Sequence, residues 1–365
     1  MIIDRNSPVP QYFQLQTWLG DQIERGIFRP DDRIPTEEEL CRITGLARAT
    51  VRQAVQNLVN MGYLVRKRRL GTFVLHRDRP ESANSMIGVL VPDIRRGYAP
   101  ELARGAGDEA VISRHSIILC NTDDLPDKAD AHAVRLLESG VGGVVFIPTA
   151  ATDEKNGRII EKFIKRSIPV VLADRSIRGN PVDLVTTDND RGGYRLTRYL
   201  LEKGHRYIGV ILSTLFSTER DRLRGYERAM EEAGISLDAR LVCTNQKPFT
   251  EKTAREMARS LITRNKNLTA IFAGHDRIAL EIFSVARQLG VRVPDDISLV
   301  GYDDLPLADT PSHSLTTMHQ PIYEMGRESM RRILARMDGD RQIPRQIVLE
   351  SQLIERGSVK SVRSD

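Results

Sequence analysis

Hydrophobic positions follow one rhythm in the first 75 residues and another in the rest. Between residues 9 and 25, Phe13, Leu15, Trp18, Leu19 and Ile23 recur at helical spacing, and Gly26 ends the pattern. Pro35-Thr36 opens a second helix: Thr36 is placed to cap it, and Glu37, Glu38 and Glu39 suit the positive end of its dipole. That helix stops at Gly45, a turn residue. A third helix is predicted over 47–61, stopped by Gly62. Val51, Val55 and Leu58 share one face of it, and Arg48 and Arg52, four apart, share another. Residues 64–66 and 71–74 read as two short strands around the basic stretch 67–70. Three helices followed by a hairpin predict a small α+β head, a winged helix-turn-helix over residues 1–75.

Residues 76–85 are polar and aperiodic and are assigned as a linker. Short, strongly apolar blocks then follow at 87–91, 116–119, 143–147 and 170–172. They resume at 208–212, 270–273 and 297–300, separated by helical stretches. Strands alternating with helices predict an α/β region of parallel sheets with right-handed crossovers. Some 280 residues of this suit two lobes. We assign 86–187 with 302–320 to the first lobe and 188–301 with 321–358 to the second.

Composition narrows the function class. The chain has 365 residues, 40% hydrophobic and 28% charged, as in ordinary globular proteins. No apolar run approaches the roughly 18 residues that span a bilayer, and the first ten residues lack a secretory pattern. Cys41, Cys120 and Cys243 lie far apart and form no metal-type or redox-type pair, which suits a reduced cytoplasmic protein. Residues 1–80 hold 13 Lys and Arg against 9 Asp and Glu, so most of the net charge of +5 sits there. That is the expected placement if the head alone touches nucleic acid. No nucleophile motif, phosphate loop or metal-spaced His/Cys set is present, so catalytic residues, a metal and a cofactor are not expected. His205, in Gly204-His205-Arg206, reads as structural.

The head resembles the N-terminal domain of the GntR family. The match runs from Pro10-Gln11-Tyr12 through Ile34-Pro35-Thr36-Glu37-Glu38-Glu39-Leu40 and Arg48-Ala49-Thr50-Val51-Arg52 to Gly71-Thr72-Phe73-Val74. The resemblance implies that Arg48, Ala49, Thr50 and Arg52 meet DNA, with Thr36, Arg68, Arg69 and Gly71 beside them. The chemistry agrees: Arg pairs bidentately with guanine, and Ala or the Thr methyl meets thymine. A basic wing reaches phosphates or the minor groove. Glu38 stands where many members have a DNA-contacting arginine, Ala47 replaces a usual serine or threonine, and Arg69 replaces a usual glycine.

Residues 86 to about 358 resemble the effector domain of the LacI/GalR family, itself similar to periplasmic sugar-binding proteins. The landmarks include Ile87-Gly88-Val89-Leu90-Val91-Pro92-Asp93, Asp174-Arg175, Asp188-Asn189, Arg222-Leu223-Arg224-Gly225-Tyr226, Val293-Pro294-Asp295-Asp296-Ile297 and Gly301-Tyr302-Asp303-Asp304. Asp174 and Asp303 each follow a predicted strand, where a ligand cleft opens in parallel α/β folds. By resemblance Asp174, Arg222 and Asp303 are ligand contacts. Arg96 and His275 stand where members often carry Asn. An added arginine and a titratable imidazole would favour an anionic ligand, a sugar acid or sugar phosphate, over a neutral sugar; the alternative reading is a surface Arg96 and a hydrogen-bonded structural His275. Tyr98 offers either an aromatic face to ligand or core packing.

The order of a GntR-type head and a LacI-type sensor resembles the chimeric subgroup of arabinose-responsive repressors. The resemblance implies a cytoplasmic homodimeric repressor that binds a palindromic double-stranded DNA operator under the control of a small-molecule effector. A membrane association is not expected.

Overall fold

In the computed structural model the described residues are 3, 10–24, 27–60, 63–67, 70–75, 86–179, 182–247, 249–310 and 313–362. The chain divides into two compact units, Met1–Ala83 and Asn84–Asp365. The expected linker, 76–85, lies outside the described residues.

The first unit contains α1 (Gln11–Glu24), α2 (Glu37–Thr44), α3 (Arg48–Asn60), β1 (Leu64–Lys67) and β2 (Gly71–Val74). Thr36 caps α2 in a capping box with Glu39, and Gly45 ends it in the left-handed conformation. β1 and β2 pair antiparallel, and Arg33 bridges to Phe73 on their edge. Leu15, Leu19, Leu40, Val51, Val55, Leu58 and Leu64 close a single core. Phe13, expected on the packed face of α1, is exposed instead, and Tyr12, Trp18 and Ile23 pack against the core.

The second unit holds two sheets. The first consists of β3 (Met86–Val91), β4 (Ser116–Asn121), β5 (Gly143–Phe146), β6 (Val170–Ala173), β7 (Asp183–Thr187) and, much later in the chain, β15 (Gln346–Leu349). Its order is β15-β7-β6-β5-β3-β4, and every pairing is parallel. Its covering helices are α4 (Ala99–Ile112), α5 (Pro126–Glu138), α6 (Asp153–Ile164) and α11 (Ile322–Met337). The second consists of β8 (Ile208–Ser213), β9 (Val242–Asn245), β10 (Ala270–Ala273), β11 (Ser298–Asp303), β14 (Thr316–His319) and β16 (Gln352–Ile354). Its order is β16-β14-β11-β10-β8-β9, with only the β16 edge antiparallel. It is covered by α7 (Asn189–Glu202), α8 (Ser217–Glu232), α9 (Glu251–Arg264) and α10 (Asp276–Gln288). A two-residue hairpin, β12 (Asp309–Thr310) with β13 (His313–Ser314), stands apart from both sheets. The central strands of each sheet are buried on both faces, which accounts for the solid apolar blocks there, while the β4 edge is partly exposed.

The later crossings between lobes differ from the division proposed on sequence. Residues 302–320 do not join the first lobe, because β14 pairs with β11 through Val300↔Thr316 and Gly301↔Thr317. Residues 321–349 do not join the second. There Met325, Met330 and Ile333 of α11 enter the first lobe's core, and β15 pairs with β7. Three crossings therefore join the lobes, at 187–189, 320–322 and 349–352. An alternation of strands and helices reports parallel pairing but not which sheet a late strand enters.

Two helix pairs approach so closely that only glycine fits. A Cβ on Gly105 of α4 would lie 2.0 Å from the Tyr323 carbonyl oxygen, and one on Gly326 of α11 would lie 2.1 Å from that of Leu102. In the second lobe, a Cβ on Gly193 or Gly225 would sit 2.2 or 2.0 Å from the Arg222 or Asp190 carbonyl oxygen. This α7–α8 crossing fixes the start of α8 and with it the side chains that point between the lobes.

Candidate functional site

Two surfaces collect the candidate residues. On the head, burying Val51, Ala54, Val55 and Leu58 leaves Arg48, Ala49, Arg52 and Gln53 exposed at the start of α3, with Thr50 half-buried. Neither Arg48 nor Arg52 forms an ion pair with a described residue, so both guanidinium forks are open to an outside acceptor. Thr36 is occupied: its hydroxyl donates to Glu39 Oε2 (2.9 Å) and accepts from the Glu39 amide (3.2 Å). The Thr36 amide, donating to Glu39 Oε2 at 2.7 Å, and then the Thr36 hydroxyl hold the Glu39 carboxyl below its usual range. Arg66 of the wing donates to Glu37 Oε1 at 2.8 Å, tying β1 to the start of α2. Gly71 adopts φ 124°, and a Cβ there would meet Arg33 Nε at 2.7 Å, so the turn requires glycine. Arg68 and Arg69 lie outside the described residues.

In the second unit a cavity of about 590 Å³ opens between the two lobes. Asp174, Arg222, His275, Asp303, Arg96 and Tyr98 all line it. From the first lobe, Asp174 leaves β6 with φ 64°, and its Oδ2 accepts from the Tyr98 hydroxyl at 2.7 Å. Its Oδ1 is buried without a hydrogen-bond partner. Arg175 donates to Asp124 Oδ1 (2.6 Å) and the Pro148 carbonyl (2.8 Å) and stacks on Phe216 of the other lobe at 3.9 Å. The Ser176 amide donates to Ser217 Oγ (2.9 Å), a second contact between the lobes.

Arg222 is fixed from every side. Its Nε donates to Asn189 Oδ1 (2.8 Å) and its Nη1 to the Gly274 carbonyl (2.6 Å). Its Nη2 lies 3.5 Å from Asp303 Oδ1, and the guanidinium lies 3.6 Å over the Tyr302 ring. It is therefore a held fork rather than a free one. Gln320 donates to Asp303 Oδ1 (2.8 Å) and accepts from Thr187 Oγ1 (2.6 Å). That chain links Asp303 to two of the three crossings. Burial pushes the Asp303 carboxyl up to about 6, against the pull of Arg222.

The two expected markers of an anionic ligand behave differently. His275 caps α10, its Nδ1 accepting from the Ile278 amide (3.3 Å), and its ring meets Phe249 edge-on. Burial, with Arg222 and Arg277 nearby, pushes the imidazole down to about 3, so it stays neutral at physiological pH. Arg96 sits at the exposed rim, 3.9 Å from Glu251. Neither supplies a cation to the floor.

Glu219 was not among the expected residues. It lies in the first turn of α8, is 3% exposed, lines the cavity and accepts at Oε2 from the Ser213 amide (2.6 Å). Burial pushes its carboxyl up to about 7. In Ser217-Thr218-Glu219-Arg220-Asp221 it reads as part of a solvated face, and no local signal marks it as buried. Among the described residues no group of three or more His, Cys, Asp or Glu is placed to hold a metal, and no helix is long and apolar enough to cross a membrane.

Comparison with known proteins places this geometry. The profile of the gntR family of bacterial regulatory proteins matches residues 11–74, and that of the periplasmic binding protein-like domain matches residues 197–359. The transcriptional regulator DegA of Bacillus subtilis is 32% identical over 333 residues, 91% of this chain and 96% of its own. The arabinose metabolism transcriptional repressor of Geobacillus stearothermophilus is 29% identical over 366 residues, 98% of this chain and all of its own. A solved LacI family regulator from Enterococcus faecium with bound ribose superposes with a TM-score of 0.65 at 26% identity, covering 76% of this chain and all of its own. This chain belongs to the LacI-type family of bacterial transcriptional regulators, carrying a GntR-type helix-turn-helix head.

Proposed function

We propose that the chain is a repressor that binds a palindromic operator as a homodimer and is controlled by a sugar held between the lobes of the second unit. The observation that carries the effector half is the cleft itself. Asp174 faces in from one lobe and Asp303 with Arg222 from the other, so a ligand bonded to all three spans both lobes. Carboxylates accept from hydroxyls and a guanidinium donates to them, which is the pairing a polyol needs. A neutral imidazole at His275 and a rim position for Arg96 favour a sugar over a sugar acid or sugar phosphate. The bound ribose of the Enterococcus faecium regulator and the arabinose in its Geobacillus relative's name support the class.

The DNA half rests on Arg48, Ala49, Thr50 and Arg52 at the start of α3, with Gly71 shaping the wing, Thr36 stabilising α2, and Arg68 and Arg69 supplying wing charge. One recognition helix reads a half-site, so two copies read a palindrome. Val111 and Ile112 at the end of α4 and Leu119 on the β4 edge are exposed apolar residues suited to pairing the sensors. Selection of duplexes from a random library with the full chain, followed by salt titration of binding, tests this half. A palindromic consensus with steep salt dependence is expected. Binding with no sequence preference would refute it.

A further inference from the structure

Resting on the sugar-cleft reading above, we propose that the effector is an amino sugar, its protonated amine received by Glu219 and the opposed carboxylates of the cleft floor. Four carboxyls stand at the floor: Asp124, Asp174, Glu219 and Asp303. They face two guanidinium groups, Arg175 and Arg222. Both are already engaged, Arg175 with Asp124 at 2.6 Å and with Asp174 Oδ2 at 3.8 Å, and Arg222 with Asp303 at 3.5 Å. Glu219 has no ion-pair partner among the described residues, and its carboxylate accepts from the Ser213 amide at 2.6 Å. Asp174 is 4% exposed, and its Oδ1 accepts from nothing. An orphaned carboxylate oxygen at this depth needs a donor from outside the chain.

The surrounding groups do not correct the imbalance. His275 is neutral, and Arg95 and Arg96 stand at the rim against Asp93 and Glu251. Glu251 and Glu281 on the far wall are held by Arg255, and Arg277 is the remaining lining cation. Asp276 lies behind the wall, bonded to Thr317 and the Leu305 amide. Burial holds the Glu219 and Asp303 carboxyls up at about 7 and about 6, against the pull of Arg222. A ligand ammonium offers up to three donors and one positive charge where hydroxyls offer donors alone. It would draw both carboxyls into their ionised form.

The test is titration calorimetry of the full chain at pH 7 with D-glucosamine, D-galactosamine and D-mannosamine, each beside its parent hexose and the corresponding hexonate. At least one hexosamine is expected to bind ten or more times tighter than its parent, with hexonates weakest. Glu219→Gln, which keeps the Ser213 bond, should lower that affinity tenfold or more and reduce the preference for the hexosamine over its parent to about threefold or less. Parents binding as tightly as the amines would overturn the amine while leaving a sugar-controlled repressor intact. Silence of every probe would also overturn it, and the operator selection above then decides the broader reading separately. An unchanged hexosamine affinity in Glu219→Gln would remove Glu219 from the site.

Discussion

Replacing Glu219 by Gln should make the protein more stable at high pH, by an amount that the burial of this side chain sets. In the folded chain the carboxyl is pushed from 4.5 to about 7 by burial. A folded-state value above the unfolded one means that the native protein holds the proton more tightly. The favourable contribution is therefore complete below about pH 4.5 and is lost as pH rises through 7. At about 1.4 kcal/mol per pH unit, the interval amounts to about 3 kcal/mol lost to the wild type between pH 4.5 and 7.5. Glutamine keeps the shape and the acceptor for the Ser213 amide but has no charge to bury. Urea unfolding of both proteins at pH 5, 6.5 and 8 should show a stability difference below about 1 kcal/mol at pH 5, rising to about 3 kcal/mol in favour of the variant at pH 8. A difference independent of pH, or a variant less stable at pH 8, would show that this carboxyl is solvated or paired in solution.

Other changes separate the two units. Arg52→Ala, on an exposed position, should leave the melting temperature within about a degree and cost about 1–3 kcal/mol of discrimination between the selected operator and random duplex, read by fluorescence anisotropy. Thr36→Ala removes the capping box of α2 and should cost about 1 kcal/mol of head stability, measured by chemical denaturation. Gly225→Ala places a Cβ 2.0 Å from the Asp190 carbonyl and should destabilise the second lobe by about 1–3 kcal/mol or more, with effector affinity falling as Arg222 shifts. Arg222→Ala strips the partners from Asn189 Oδ1 and the Gly274 carbonyl and leaves Asp303 buried. A loss of about 3–5 kcal/mol in a denaturant titration is expected, so Arg222→Lys is the gentler probe of ligand binding.

Where periodicity decides burial, the fold was legible in the chain. Val51, Val55 and Leu58 are core residues of the third helix, and the solid apolar blocks other than the partly exposed β4 edge are strands covered on both faces. Capping chemistry at Thr36 and Gly45 also followed from residue type. Sheet membership did not, because β14 and β15 are short late segments whose partners lie more than ten and more than 150 residues away. At the cleft, Asp174 and Asp303 were visible as residues ending apolar strands. Arg222 was visible as a donor, but its ties to Asn189 and Gly274 depend on the α7–α8 crossing that Gly193 and Gly225 permit. His275 was legible as an imidazole, whereas its neutrality comes from burial and three surrounding arginines. Glu219 was hidden because a helix bearing charges at most positions gives no sign of which one turns inward.

The central claim is that occupancy of the cleft biases the DNA-reading head. The direct measurement is operator affinity of the full chain, by anisotropy at fixed salt, with and without a sugar shown by calorimetry to bind wild type but not Asp174→Asn. A change of about a hundredfold, about 2.7 kcal/mol of coupling, is predicted, with Asp174→Asn unresponsive to the same sugar. Full cleft occupancy with unchanged operator affinity would contradict the account.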